Sequence, residues 1–189
     1  SNNFSPDEVY MPEDDTFLLL KSALSEANSN DLALEIGCGS GLVSQELIPW
    51  VRRIIATDIN PHALRSAKAR GLEVVRADLF LGMKGKFDLI LFNPPYLPTT
   101  DEERTHHWID YALDGGDSGR ETINRFLKEL PNHLSSRGRA LLLISSLTGP
   151  DEVYEKARLS GLVAKEVACV RCFFEQLYVL KLEVRQKNQ

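Results

Sequence analysis

The chain has 189 residues, of which 43% are hydrophobic and 26% charged, with a net charge of −5. That balance is typical of soluble globular proteins and excludes disordered and fibrous classes, and the acidic excess disfavours a polyanion such as nucleic acid as partner. The longest apolar runs are about strand length, short of the ~20 residues a bilayer crossing needs, so no membrane association is expected.

The length suits one domain over 1–189 with its own core. The opening "SNNFSPDEVY" is polar and acidic, without the apolar stretch of a signal peptide. "DDTFLLLKSALSEAN" then places Phe17, Leu20, Leu24 and Ala27 at helical spacing, with Asp15 or Thr16 available as N-cap. Strand-like apolar runs follow at 32–36, 53–58, 72–78, 87–92 and 139–145, with a final pair at 162–170 and 175–184. Helical stretches separate them near 41–49, 61–70, 120–134 and 150–160. The third helix is well punctuated, with Asn60 as N-cap, Pro61 at the first helical position and Gly71 past the end. This alternation predicts an α/β fold, a doubly wound, mostly parallel seven-stranded sheet. No helix separates the last two runs, so they are expected to pair as a C-terminal antiparallel hairpin.

Three cysteines make no disulfide framework and suggest a reducing compartment, hence a cytoplasmic location. Cys169 and Cys172 in "CVRC" have no second pair to complete a metal site and read as small core residues. His106 and His107 are adjacent and point apart on any regular element, so no metal site is predicted.

Two turns carry the chemistry. In "LALEIGCGSGL" a strand ends at Glu35 and Gly37, Gly39 and Gly41 follow, so a ligand can lie against bare backbone. A dinucleotide fingerprint would need glycine at 42, where the chain has Leu42. The G-x-G-x-G spacing after an acid resembles motif I of class I S-adenosyl-L-methionine (SAM) methyltransferases. That resemblance implies SAM as cofactor. Its ribose would meet Asp58 and the following Ile59, and its adenine would meet Asp78, with Leu79 or Phe80 against the ring. Carboxylates also suit its cationic sulfonium and ammonium groups. Capping of helices or turns is the alternative for Asp58 and Asp78 taken alone.

The second turn, "LFNPPYLP", follows the fourth apolar run. Ligand crevices in open parallel sheets lie beyond the carboxyl ends of strands, which puts Asn93, Pro94, Pro95 and Tyr96 beside the cofactor. "NPPY" resembles the signature of SAM enzymes that methylate a planar amino or amide nitrogen. The resemblance implies catalytic roles for Asn93, Pro94 and Tyr96. The Asn93 side-chain oxygen and the Pro94 carbonyl would accept the two N–H hydrogens of the target, and Tyr96 would cover its flat face. Proline fixes φ, so the Pro94 carbonyl is held before substrate arrives.

"VYMPEDDTFLLLKSAL", "EIGCGSG", "NPPYLP", "LDGGDSGR" and "FFEQLYVLKL" together resemble the archaeal and eukaryotic branch of HemK-type protein-glutamine N5-methyltransferases over nearly the whole chain. The resemblance implies a class I translation release factor as substrate, methylated on the glutamine of its GGQ motif. In the family a P-x-E-D-T segment covers the methionine end of SAM, which here corresponds to Asp14, Asp15 and Thr16, with Asp14 where Glu is usual; helix capping is the alternative. "LDGGDSGRE" would form a loop near the acceptor pocket, with Arg120 a candidate for contacting substrate or a carboxylate; an ordinary glycine-rich turn before a helix is the alternative. The family also implies a small zinc-binding activator subunit on an edge strand at Leu72 to Ala77. A nucleic-acid amino methyltransferase acting on adenine N6 or guanine N2 is the alternative function, and a non-catalytic SAM-fold scaffold a third.

Overall fold

The computed structural model describes residues 14–94 and 120–187. Helix α1 (Asp14–Glu26) precedes β1 (Leu32–Ile36), α2 (Leu42–Leu47), β2 (Arg53–Asp58), α3 (Pro61–Ala69), β3 (Glu73–Arg76) and β4 (Phe87–Phe92). Then come α4 (Glu121–Glu129), β5 (Leu134–Ser145), α5 (Pro150–Leu159), β6 (Leu162–Arg171) and β7 (Gln176–Val184). Short 3-10 turns follow α2, α4 and β5.

The seven strands lie in the order β3-β2-β1-β4-β5-β7-β6. The first five are mutually parallel, and β7 pairs antiparallel with both β5 and β6. The expected sheet and terminal hairpin are therefore present. Every residue of β4 is buried. Ile90 and Phe92 point into one core with Phe126 and Leu127 of α4, while Leu89 and Leu91 point into the other with Leu19 of α1 and Leu47 of α2. Helices on both faces explain the unbroken apolar run, and burying each such side chain contributes ~1.5–3 kcal/mol.

Several expectations need correction. Helix α1 begins at Asp14, so Asp15 and Thr16 lie inside its first turn rather than at its N-cap. Its buried face is Asp15, Leu19, Ser22 and Ala23, whereas Phe17 and Leu24 are exposed. Leucines on all sides leave the stripe undetermined by spacing, and packing on β5 and α2 selects it. Strand β3 is shorter than 72–78, so Asp78 sits in the turn beyond it. Helix α4 ends at Glu129, ahead of Pro131, and β5 starts early at Leu134. The early start requires Gly138, where a Cβ would come within 2.8 Å of the Phe87 carbonyl oxygen at a register shift between β4 and β5. Cys169 is exposed on β6, because that strand forms an edge of the sheet, and is not a core residue.

Candidate active site

From β1 the chain runs outward to β2 and β3 on one side, and β4 and β5 extend on the other. The sheet changes direction between β1 and β4, the point where open parallel sheets bind ligands in a crevice beyond the carboxyl ends of their strands. Ile36 pairs with Phe92 across that point, which brings the glycine turn and Asn93 side by side.

The glycine turn is built from backbone that a side chain would obstruct. Gly37, Gly39 and Gly41 have φ of 66°, 55° and 85°, in the left-handed region that glycine enters at no steric cost. A Cβ on Gly41 would lie 2.6 Å from Leu72 Cδ1 and 3.1 Å from Ala67 Cβ, so this glycine lets α2 close on α3. Among the described residues, a Cβ on Gly37 would meet a Phe92 ring carbon at 3.9 Å, an ordinary contact.

Around this turn the acids are held by uncharged donors. Glu35 is 4% exposed, and its Oε1 accepts from Ser44 Oγ at 2.6 Å and Ser44 N at 3.2 Å, tying β1 to the first turn of α2. Burial pushes its carboxyl up to about 8, the Ser44 bonds oppose that shift, and the nearby Asp58 charge adds to it. Asp58 accepts Gly39 N–H at 2.9 Å on Oδ2 and Asn60 N–H at 2.9 Å on Oδ1. Burial raises its carboxyl as well, against those backbone donors. Ile59 follows, its carbonyl accepting from Arg76 Nε at 3.1 Å. A cationic ligand would stabilise both carboxylates, so bare glycine backbone between raised acids fits the amino-acid end of SAM.

Asp78 lies farther along the same rim, its Oδ2 accepting from Arg125 Nη2 of α4 at 2.9 Å. Leu79 has φ 52°, a conformation that costs a non-glycine residue of order 1–3 kcal/mol and that clusters at ligand sites. Phe80 turns inward, its ring 5.6 Å from Phe126 and 4.3 Å from His133, and Leu79 is buried in the same core cluster.

Across the crevice Asn93 is half-buried and Pro94 buried. Asn93 Nδ2 donates to Asp15 Oδ2 at 3.0 Å, while Asp15 Oδ1 accepts from Thr16 N at 2.8 Å. Asp15 is 3% exposed. Thr16 is half-buried on the same turn of α1. Arg120 caps the start of α4 and donates from Nη1 to the Thr148 carbonyl at 3.1 Å; no described hydrogen bond joins it to Asn93. Pro95 and Tyr96 lie outside the described residues. The structure thus brings Glu35, the three glycines, Asp58 and Asn93 together, and it adds two partners that spacing did not reveal, Asp15 for Asn93 and Arg125 for Asp78. Among the described residues no three His, Cys, Asp or Glu side chains cluster as metal ligands, and no helix is long and apolar enough to cross a membrane.

The Methyltransferase small domain model matches residues 3–158. The chain is 41% identical to a provisionally named protein N5-glutamine methyltransferase of Methanocaldococcus jannaschii, covering 92% of this chain and 90% of that one. It is 37% identical to mouse methyltransferase HEMK2, covering 92% and 89%. Among solved structures, a chain of the E. cuniculi Mtq2–Trm112 complex, responsible for methylation of the eRF1 translation termination factor, superposes with a TM-score of 0.79 at 30% identity. The match covers 94% of this chain and 99% of that one.

Proposed function

This chain belongs to the methyltransferase small domain family, and on that premise we propose that it methylates the glutamine side-chain amide of the GGQ motif in a class I translation release factor. The observation that carries the chemistry is the position of Asn93, beside the glycine turn at the carboxyl end of β4. The enzyme is a SAM-dependent protein-glutamine N5-methyltransferase and acts as one domain, 1–189.

When bound, SAM supplies an electrophilic methyl group on a sulfonium. Glu35, Gly37, Gly39 and Gly41 hold its amino-acid end, helped by Thr16 and Asn93. Asp58 and Ile59 meet the ribose, and Asp78 and Leu79 meet the adenine. An amide nitrogen is a poor nucleophile because its lone pair is conjugated, the same conjugation that gives the peptide bond its ~18–20 kcal/mol rotation barrier. Asn93 Oδ1 and the Pro94 carbonyl accept the two N–H hydrogens and aim the lone pair at the methyl carbon, which is orientation and preorganised electrostatics rather than acid/base catalysis. Bound there, SAM would supply its methyl group to the nitrogen held by Asn93 and Pro94, the electron pair of the broken bond staying on sulfur, and the extra proton would leave the nitrogen afterwards. Pro95, Tyr96 and Arg120 contact the substrate.

The E. cuniculi relative forms a complex with a small partner, Trm112. For this chain we propose a small zinc-binding activator that adds a strand along β3, between Leu72 and Ala77. Strand β3 is the edge of the sheet, and Val75 on it is 40% exposed. Val75→Glu is expected to abolish co-purification of the activator while SAM affinity is kept; retention of the complex would refute that location. With a translation factor as substrate, the enzyme would act in the cytoplasm.

The test is methyl transfer from labelled SAM to a release factor, its GGQ-to-GGA variant, DNA and tRNA. Label on the wild-type factor alone supports the glutamine reading. Label on nucleic acid would transfer the assignment to an adenine or guanine amino group.

A further inference from the structure

We infer that Asp15 is a positioning residue for the transfer, its carboxylate fixing which way round the Asn93 amide stands. The inference rests on the assignment of Asn93 to the acceptor nitrogen.

An asparagine amide can be turned over with almost no change in shape, exchanging its oxygen for its NH2 group. For Asn93 the two orientations are opposite in chemistry. With Oδ1 toward the crevice it accepts a hydrogen from the target NH2; with Nδ2 there, donor would face donor. The orientation therefore has to be decided by whatever bonds the inner side of the amide. That neighbour is Asp15, whose Oδ2 accepts from Nδ2 at 3.0 Å. A carboxylate offers acceptors only, so the Nδ2 side is the one it attracts.

Asp15 is itself locked. It is 3% exposed, it stands in the first turn of α1, and its Oδ1 is engaged by Thr16 N at 2.8 Å. Asp15 and Asn93 come from separate elements, α1 and the end of β4, so this bond also fixes α1 against the catalytic turn. Each Asp15 oxygen has an acceptor's task, which makes the isosteric change Asp15→Asn informative. The amide introduced by that change would direct its NH2 group either at the Thr16 N–H or at Asn93. The first leaves two donors opposed, and the second turns Asn93 round.

The experiment combines kinetics with nitrogen NMR on the full chain and its activator. Asp15→Asn is expected to keep the unfolding midpoint, shift the Asn93 side-chain amide resonances, and slow single-turnover transfer at saturating SAM roughly 10- to 100-fold, by analogy with losing a group that orients a metal ligand. In an Asn93→Ala background the same change is expected to cost nothing further. Wild-type speed in Asp15→Asn, or an undiminished cost in the Asn93→Ala background, would overturn the inference. If the variant does not fold, the wild-type protein still decides. A scalar coupling through the hydrogen bond, from the Asn93 side-chain nitrogen to the Asp15 carboxyl carbon, is expected, and its absence overturns the bond. The NMR readouts need no acceptor, so they stand apart from the glutamine assignment; if another NH2 acceptor proves correct, the kinetic cycle is run on it.

Discussion

At the amino ends of the strands Arg139, 9% exposed, donates to both Asp31 oxygens at 2.9 and 2.8 Å, to Glu26 Oε2 at 3.3 Å and to the Asp88 carbonyl at 2.8 Å. At the carboxyl ends Glu35 and Asp58 are bonded only to hydroxyl and backbone N–H donors in the bonds described, and burial raises both carboxyls. One end of the sheet neutralises its buried acids internally, and the other leaves that to a ligand. The difference separates a cluster that holds the fold from one whose unfavourable charge becomes favourable when a cation binds, in keeping with local rules being broken at functional sites.

The largest effect is expected at the amino end. Arg139→Met leaves Asp31, 1% exposed, without its cation, and is expected to lower stability by about 3–5 kcal/mol in urea unfolding, with SAM affinity of the folded fraction unchanged. An unmoved midpoint would remove the structural role of that cluster. Next, Asn93→Ala is expected to reduce turnover by about 10² with a much smaller loss of SAM affinity, as read by kcat beside calorimetric Kd. Asp58→Ala should do the reverse and weaken SAM binding by about 2 kcal/mol through loss of charge-assisted bonds. If it left Kd unchanged, the account of Asp58 as a ligand-binding carboxylate at that end would fail.

The last expectation is a pH dependence, the smallest of these effects per unit of pH. Glu35 is raised from 4.5 to about 8 in the folded state, so between those values the folded protein holds a proton that the unfolded chain has lost. Stability of the ligand-free protein should therefore decline with rising pH by about 1.4 kcal/mol per unit across that window and level off above it. Glu35→Gln is expected to flatten the slope. A slope unaffected by that variant would show that Glu35 is not the group responsible.

Much of this was legible in the residues. Asn60, Pro61 and Gly71 delimit α3 as expected, and Asn60 Oδ1 accepts from His62 N at 2.8 Å. The strand ends at Ile36, Asp58 and Phe92 followed from unbroken apolar runs halted by glycine or proline turns. What spacing could not supply was contact between distant segments. Asp15 and Asn93 are 78 positions apart, and Asp78 and Arg125 are 47 apart. Nothing local at Asp15 distinguishes a residue that orients an amide from one that caps a helix. The buried stripe of α1 was misassigned for a related reason. Leu18, Leu19 and Leu20 cover every side of the helix, and only the sheet and α2 decide which side is inside.

The most direct measurement is mass-spectrometric mapping of the methyl group on a release factor incubated with SAM and either the wild-type enzyme or Asn93→Ala. One methyl group on the side-chain nitrogen of the GGQ glutamine is expected from the wild type, formed about 10²-fold more slowly by the variant. Methylation at another nitrogen, or an undiminished rate in the variant, would contradict the assignment of Asn93 as the clamp for the acceptor amide.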